Sequence, residues 1–155
     1  MEHPSIDRPT VAALKSAERE QDDATERRAF LEALGGNDVD RIRSTTRTYL
    51  RRTSSPARTA RFICGSVEKV SPTGLRPFRV ALLSSFSIQM VHDPLVAHGY
   101  TEGLALSIYQ PGYDQYQQEI LDANSGLYRG EWDAIVLAVD GTRWAPEIYE
   151  RFLVG

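Results

Sequence analysis

Three short apolar runs constrain this chain more than any other feature of its sequence. Phe78-Arg79-Val80-Ala81-Leu82-Leu83 stops at Ser84-Ser85, Leu104-Ala105-Leu106-Ser107-Ile108-Tyr109 stops at Gln110-Pro111-Gly112, and Trp132 to Val139 stops at Asp140-Gly141. Apolar side chains on consecutive positions suit strands buried on both faces, as in a parallel sheet. The segments between them carry helical spacing instead. Met90, Val91, Leu95 and Val96 recur between Ile88 and Gly99, with Pro94 arguing for a helix start there rather than earlier. Asp114 to Leu121 reads as a short helix with Tyr116, Ile120 and Leu121 as its core side, Asp122 to Gly126 as a loop, and Ala145 to Leu153 as an amphipathic helix bearing Ile148, Tyr149 and Phe152. Strands that alternate with helices imply right-handed crossovers and a parallel sheet. The expected fold class is α/β: a three-stranded parallel βαβαβ unit preceded by a helical N-terminal extension.

The extension occupies residues 1–74 and the α/β unit residues 75–155. Residues 1–6 read as frayed, and Asp7-Arg8-Pro9 as a helix start. The polar run Glu18 to Asp23 is either a solvated helix middle or a break, before an apolar stripe at Phe30, Leu31 and Leu34 and a stop at Gly35-Gly36. Asn37 or Asp38 can cap the next helix, whose apolar face is Val39, Ile42, Thr46, Tyr49 and Leu50. Thr53-Ser54-Ser55-Pro56 ends it, a further helix runs from Ala57 to Cys64 or beyond, and Ser71-Pro72-Thr73-Gly74 is a linker. Three strands alone leave two open edges and a thin core. The α/β unit is therefore expected to be incomplete without the extension, a second subunit or further sequence.

Charge divides along the same line. Residues 1–77 hold 14 Lys/Arg against 11 Asp/Glu, and residues 78–155 hold 4 against 10. From Arg41 to Val67 there are seven arginines and no acid. Arg43, Arg47 and Arg51 recur every four residues on one helix face. Such a face can attract a polyanion or an acidic protein, or can pair with the acidic half of its own chain. The aromatic residues are not interleaved with the run, apart from Tyr49, which ranks nucleic acid last among its partners. No apolar run approaches the length of a membrane span, and MEHPSIDRPT lacks the basic flank and apolar stretch of a secretory signal. A single cysteine, Cys64, suits a reducing compartment. The expected setting is the cytoplasm, with no membrane partner.

In parallel sheets ligands bind beyond the carboxyl ends of the strands. Here those ends are Ser84-Ser85, Gln110-Pro111-Gly112 and Asp140-Gly141. Ser84, Ser85, Tyr113, Asn124, Ser125 and Asp140 are the candidate ligand or partner surface. For the serine pair the simpler reading is that they cap the following turn and hold loose backbone amides, and for Asn124-Ser125 a polar turn. No Walker loop, Gly-x-Gly-x-x-Gly, His-Glu-x-x-His or clustered Cys/His set occurs, so no metal site and no cofactor are expected in this chain.

The series VALLSSFSI (Val80 to Ile88), YQPGYDQYQQEILDANSGLY (Tyr109 to Tyr128) and DAIVLAVD (Asp133 to Asp140) together resemble the N-terminal domain of FkbH-like proteins, members of subfamily IIIC of the HAD superfamily. The resemblance covers residues 78–140. It implies part of a flavodoxin- or SGNH-like sheet. It also implies a place in polyketide pathways, where such proteins dephosphorylate a phosphorylated glycerate and load the glyceryl unit onto an acyl carrier protein. In that family a Mg-dependent HAD domain removes the phosphate with an Asp-x-Asp pair at a strand end. This sequence has only Asp38-Val39-Asp40, which opens a helix. The chain therefore reads as an isolated domain, a fragment or a truncated frame, with Mg expected only in the HAD domain.

The family's N-terminal domain is similar in fold to SGNH hydrolases, whose nucleophilic serine follows the first strand. That likeness puts Ser85 at the nucleophile position. Ser84 replaces the usual aspartate and Leu83 the glycine, and no Asp-x-x-His supplies a base. His92 and His98 lie around the first crossover helix. Three functions follow in order. The first is a non-catalytic domain that docks an acidic acyl carrier protein through Arg43, Arg47 and Arg51, or docks the HAD domain in cis or trans, during extender-unit synthesis. The second is a small hydrolase or acyltransferase using Ser85 or Cys64, and the third is nucleic-acid binding through the arginines.

Overall fold

The computed structural model describes residues 10–141. The expected helix over Ala145 to Leu153, and the helix start at Asp7-Arg8-Pro9, lie outside the described residues. The element order is α1 (Val11–Gly35), α2 (Val39–Arg52), α3 (Pro56–Val70), β1 (Arg76–Ser84), α4 (Gln89–Thr101), β2 (Leu104–Tyr109), α5 (Tyr116–Leu121), α6 (Gly126–Arg129) and β3 (Ala134–Ala138).

The three strands form one parallel sheet in the order β2-β1-β3. The register pairs Val80 with Ile108 on one side and with Ala134 on the other. Strand alternation then assigns the faces. Leu106 and Ile108 pack into a core built from Phe30, Ile42, Ile63, Val96 and Tyr100, so α1 to α4 lie on that face. Ala81 and Leu83 pack with Tyr116, Leu127, Tyr109 and Trp132 on the other, beneath α5 and α6. The chain runs one way from β1 to β2 and back across β1 to reach β3. Right-handed crossovers in opposite directions place their helices on opposite faces, as the two cores show.

The helices of the extension share their core with α4 and the sheet, so residues on both sides of Gly74 contribute to one interior. Phe30, Ala33 and Leu34 at the end of α1, Ile42, Thr46 and Tyr49 on α2, and Ala60, Ile63, Cys64 and Val67 on α3 are its buried contributions. Phe30, Tyr49 and Phe62 stack mutually, with ring centroids between 6.2 and 6.5 Å apart, where tilted and edge contacts add to burial. This layer supplies the cover that a three-stranded sheet lacks.

Several local expectations are met and others are corrected. The polar run Glu18 to Asp23 is a solvated helix middle, because α1 is continuous through it. The turn after α1 uses Asn37, at φ 52°, as its left-handed residue, while Gly36 stays right-handed at φ −77°. The Asn37 side chain then clamps the linker. Its Nδ2 donates to Thr73 Oγ1 at 2.6 Å and its Oδ1 accepts from Thr73 N–H at 2.8 Å. Asp38 is the residue that caps α2, its carboxylate accepting from Arg41 N–H at 3.1 Å. Helix α4 begins at Gln89 and carries Pro94 inside it. The carbonyl that Pro94 leaves without a helical donor belongs to the exposed Met90 in the first turn of α4, where solvent can take the place of the missing bond. The core side of α5 is Tyr116 alone, since Ile120 and Leu121 are exposed. The loop expected over Asp122 to Gly126 ends in the single-turn α6.

Candidate functional site

The carboxyl ends of β1 and β3 meet at the point where the chain leaves the sheet in two directions. That crevice is the usual ligand position in such sheets, and here it is stitched shut. Ser85 N–H donates to Ala138 O at 3.1 Å, and Asp140 N–H donates to Ser85 Oγ at 2.8 Å. Ser85 is 2% exposed. Ser84 Oγ donates to Phe86 O at 2.7 Å. Both serines are thus engaged with backbone groups of the turns they join, the role their position after an apolar strand suggested.

Among the described residues no histidine makes a hydrogen bond to Ser85. His92 Nδ1 lies 3.1 Å from Asp93 Oδ1, and His98 is exposed on α4. Cys64 is also unsuited to attack. It is buried on α3, its Sγ donates to Asp93 O at 3.4 Å, and burial, with Asp93 and Glu68 adding to it, pushes the thiol up to about 12. A thiol protonated throughout the physiological range is a poor nucleophile.

An open cleft of about 300 Å³ lies on the other side of β1, at the carboxyl ends of β1 and β2. Ser84, Phe86, Ser87 and Gln89 form its β1 wall, and Gln110, Pro111, Gly112 and Tyr113 its β2 wall. Phe86 and Tyr113 are 44% and 67% exposed. Gln115 fixes the β2 wall by accepting from Gly112 N–H at 3.1 Å. Of the surface expected from sequence, the fold brings Ser84 and Tyr113 into this cleft and joins Ser85 to Asp140 beside it. Asn124 and Ser125 do not line it. Asn124 N–H donates to Asp122 Oδ1, and the buried Ser125 Oγ donates to Glu119 O at 2.7 Å, so they form the polar turn that starts α6. Phe86, Ser87 and Gln89 were not singled out by sequence. Their signal was position alone, directly after the first strand.

The arginine stretch is largely neutralised within the chain. Arg43 pairs with Asp40 at 3.2 Å, Arg47 with Glu102 at 2.9 Å, Arg52 with Glu26 at 2.7 Å and Arg61 with Asp93 at 3.2 Å. Arg47 also donates to Thr101 O, so it clasps the turn from α4 into β2. Glu102 is held below the usual carboxylate range by hydrogen bonds from Thr101 and then Arg47. Arg41, Arg51 and Arg58 are exposed and have no ion pair among the described residues. A wider groove of about 640 Å³ along α1 mixes Glu20, Asp23 and Glu32 with Arg27 and Arg28, so it has no dominant field.

Among the described residues no group of His, Cys, Asp or Glu is placed to hold a metal ion, and no helix is long and apolar enough to cross a membrane. No family model, no curated protein and no solved structure matches the chain.

Proposed function

We propose that this chain is a non-catalytic interaction domain that docks an acidic protein partner through α2. The observation that supports it is the engagement of the rim serines. Ser85 accepts a backbone amide and Ser84 donates to a backbone carbonyl, with no histidine hydrogen-bonded to either among the described residues. A hydrolase built on Ser85 needs a base within hydrogen-bond reach. The identity of the partner rests on the resemblance to FkbH-like proteins: an acyl carrier protein, or the HAD domain in cis or trans, in the cytoplasm during extender-unit synthesis.

The ion pairs refine which arginines take part. Arg43 pairs with Asp40 within α2 and Arg47 ties α2 to the end of α4, whereas Arg51 is exposed beside Thr48 and Arg52 along one groove. Rim charges of this kind act mainly on encounter rate and salt dependence. Titration against an acidic acyl carrier protein tests the reading. Arg51→Glu should weaken binding by roughly three- to tenfold at low salt, and raised salt should erase most of that difference. The Arg43/Arg47/Arg51→Glu triple variant should bind more weakly still. Unchanged affinity in both variants removes α2 from the interface.

A further inference from the structure

We infer that the cleft between the carboxyl ends of β1 and β2 binds an uncharged, polyhydroxylated small molecule of about monosaccharide size. This is a small-molecule site and is separate from the protein-docking helix α2.

The first argument is the chemistry of the lining. Among the described residues no Asp, Glu, Lys, Arg or His lines it. A charged ligand entering such a cleft would lose hydration without gaining a counter-charge. What the walls offer is two primary amides, Gln89 and Gln110, and the hydroxyl of Ser87. Each of these groups both donates and accepts. A ligand hydroxyl does the same, so one sugar hydroxyl satisfies either half of an amide.

The second argument is that these groups are uncommitted. Several hydroxyls elsewhere in the chain are occupied: Ser66 Oγ bonds Phe62 O, Thr101 Oγ1 bonds His98 O, and Ser125 Oγ bonds Glu119 O, although Thr46 Oγ1 is buried without a partner among the described residues. Within the cleft itself Ser84 is held by Phe86 O. Ser87, Gln89 and Gln110 make no side-chain hydrogen bond among the described residues. Three uncommitted polar residues thus line one concave surface, Ser87 and Gln89 exposed and Gln110 half-buried.

The third argument is the aromatic flank. Phe86 and Tyr113 stand exposed on opposite walls. An aromatic face packs well against the C–H side of a sugar ring, and a phenol adds a hydrogen-bonding tip. The volume of about 300 Å³ sits at the small end of ligand pockets, which excludes a drug-sized or oligomeric occupant from full enclosure.

Protein-observed NMR tests this with glucose, galactose, mannose and glycerol as probes, together with glucose 6-phosphate and adenosine. The expected result is millimolar binding of at least one neutral polyol, with shifts confined to residues 84–89 and 110–113. Gln89→Ala/Gln110→Ala, which removes both amides from partly exposed positions, should weaken that binding about tenfold without altering the fold. Tyr113→Phe should weaken it less. No shift from any neutral polyol, shifts that map elsewhere, or tighter binding of the phosphate ester or of adenosine would each overturn the assignment.

Discussion

Ser85→Ala separates a structural serine from a catalytic one. The hydroxyl accepts Asp140 N–H at 2.8 Å from a side chain that is 2% exposed, and it lies beside the Ser85 N–H to Ala138 O bond. Alanine keeps the backbone bond and removes only the acceptor. A net intramolecular hydrogen bond contributes about 0.5–1.5 kcal/mol, and a fully buried orphan amide would raise the penalty to about 1–3 kcal/mol. The bond is part-buried rather than fully buried, so the lower range applies. The expected destabilisation is about 1 kcal/mol. For a chain of this length that shifts the thermal midpoint by roughly 3 °C.

Two readouts accompany the melt. Hydrogen exchange at the Asp140 amide should accelerate about fivefold, while exchange in the middle of β1 follows global stability only. A chromogenic acetyl ester should not be hydrolysed above the buffer rate by the native chain or by the variant. The structural assignment fails on either of two results. One is native ester turnover that disappears in Ser85→Ala. The other is a variant with unchanged midpoint and unchanged Asp140 exchange, because the hydroxyl would then bear no strain at the β1/β3 junction.

Three other outcomes follow from the packing. Cys64, with its thiol pushed up to about 12 by burial, should resist a water-soluble thiol reagent at neutral pH until the chain is unfolded, so slow labelling without denaturant and complete labelling with it is expected. Gly99→Ala places a Cβ 2.6 Å from Leu106 Cγ, in the contact that seats α4 on β2, and should cost about 1–3 kcal/mol by denaturant melt; Leu106→Ala in the same background should recover part of it. Asp93 is held below the usual carboxylate range by its hydrogen bonds from His92 and then Arg61. A depressed folded value means that its contribution is present above the unfolded value and is lost as pH falls through that value towards the folded one. Asp93→Asn should therefore flatten the acid limb of the stability curve below about pH 4, by less than about 1 kcal/mol because Arg61 is exposed.

The three strands, their direction and the register of helix α2 were legible because consecutive apolar runs and a clean helical period leave few alternatives. Val39, Ile42, Thr46 and Tyr49 could face the core in only one way, and three of them are buried. Pro94 misled because it falls early in α4, where the one carbonyl it disturbs belongs to the exposed Met90 in the first turn. Ile120 and Leu121 misled because a six-residue helix has one turn to bury, and Tyr116 alone fills it. The arginine face was visible as a charge pattern, but its partners Glu26 on α1, and Asp93 and Glu102 in and at the end of α4, are distant in sequence, and no local spacing announces them. The cleft was legible in part: the strand ends at Ser84 and Gln110-Pro111-Gly112, and Tyr113, were marked by position, whereas Gln89 was not, because it stands in a different connection and shares the cleft only because β1 and β2 are neighbours in register.

That last point explains why the two sides of β1 differ in character. On the β3 side the strand ends are joined by Ser85, whose hydroxyl reaches an amide 55 residues further along the chain. On the β2 side no such tie exists among the described residues, and the cleft there is lined by uncommitted amides and aromatic rings. A parallel sheet places all its loop-bearing ends on one rim, and a ligand can enter only where neighbouring loops part. In this chain the serine pair closes one gap and so leaves the other as the place where polar side chains can meet a guest. Ser85 then acts on binding only through position. Ser85→Ala should loosen the rim and change the affinity of a polyol in the cleft by no more than about threefold, whereas loss of Gln89 and Gln110 together should remove most of it.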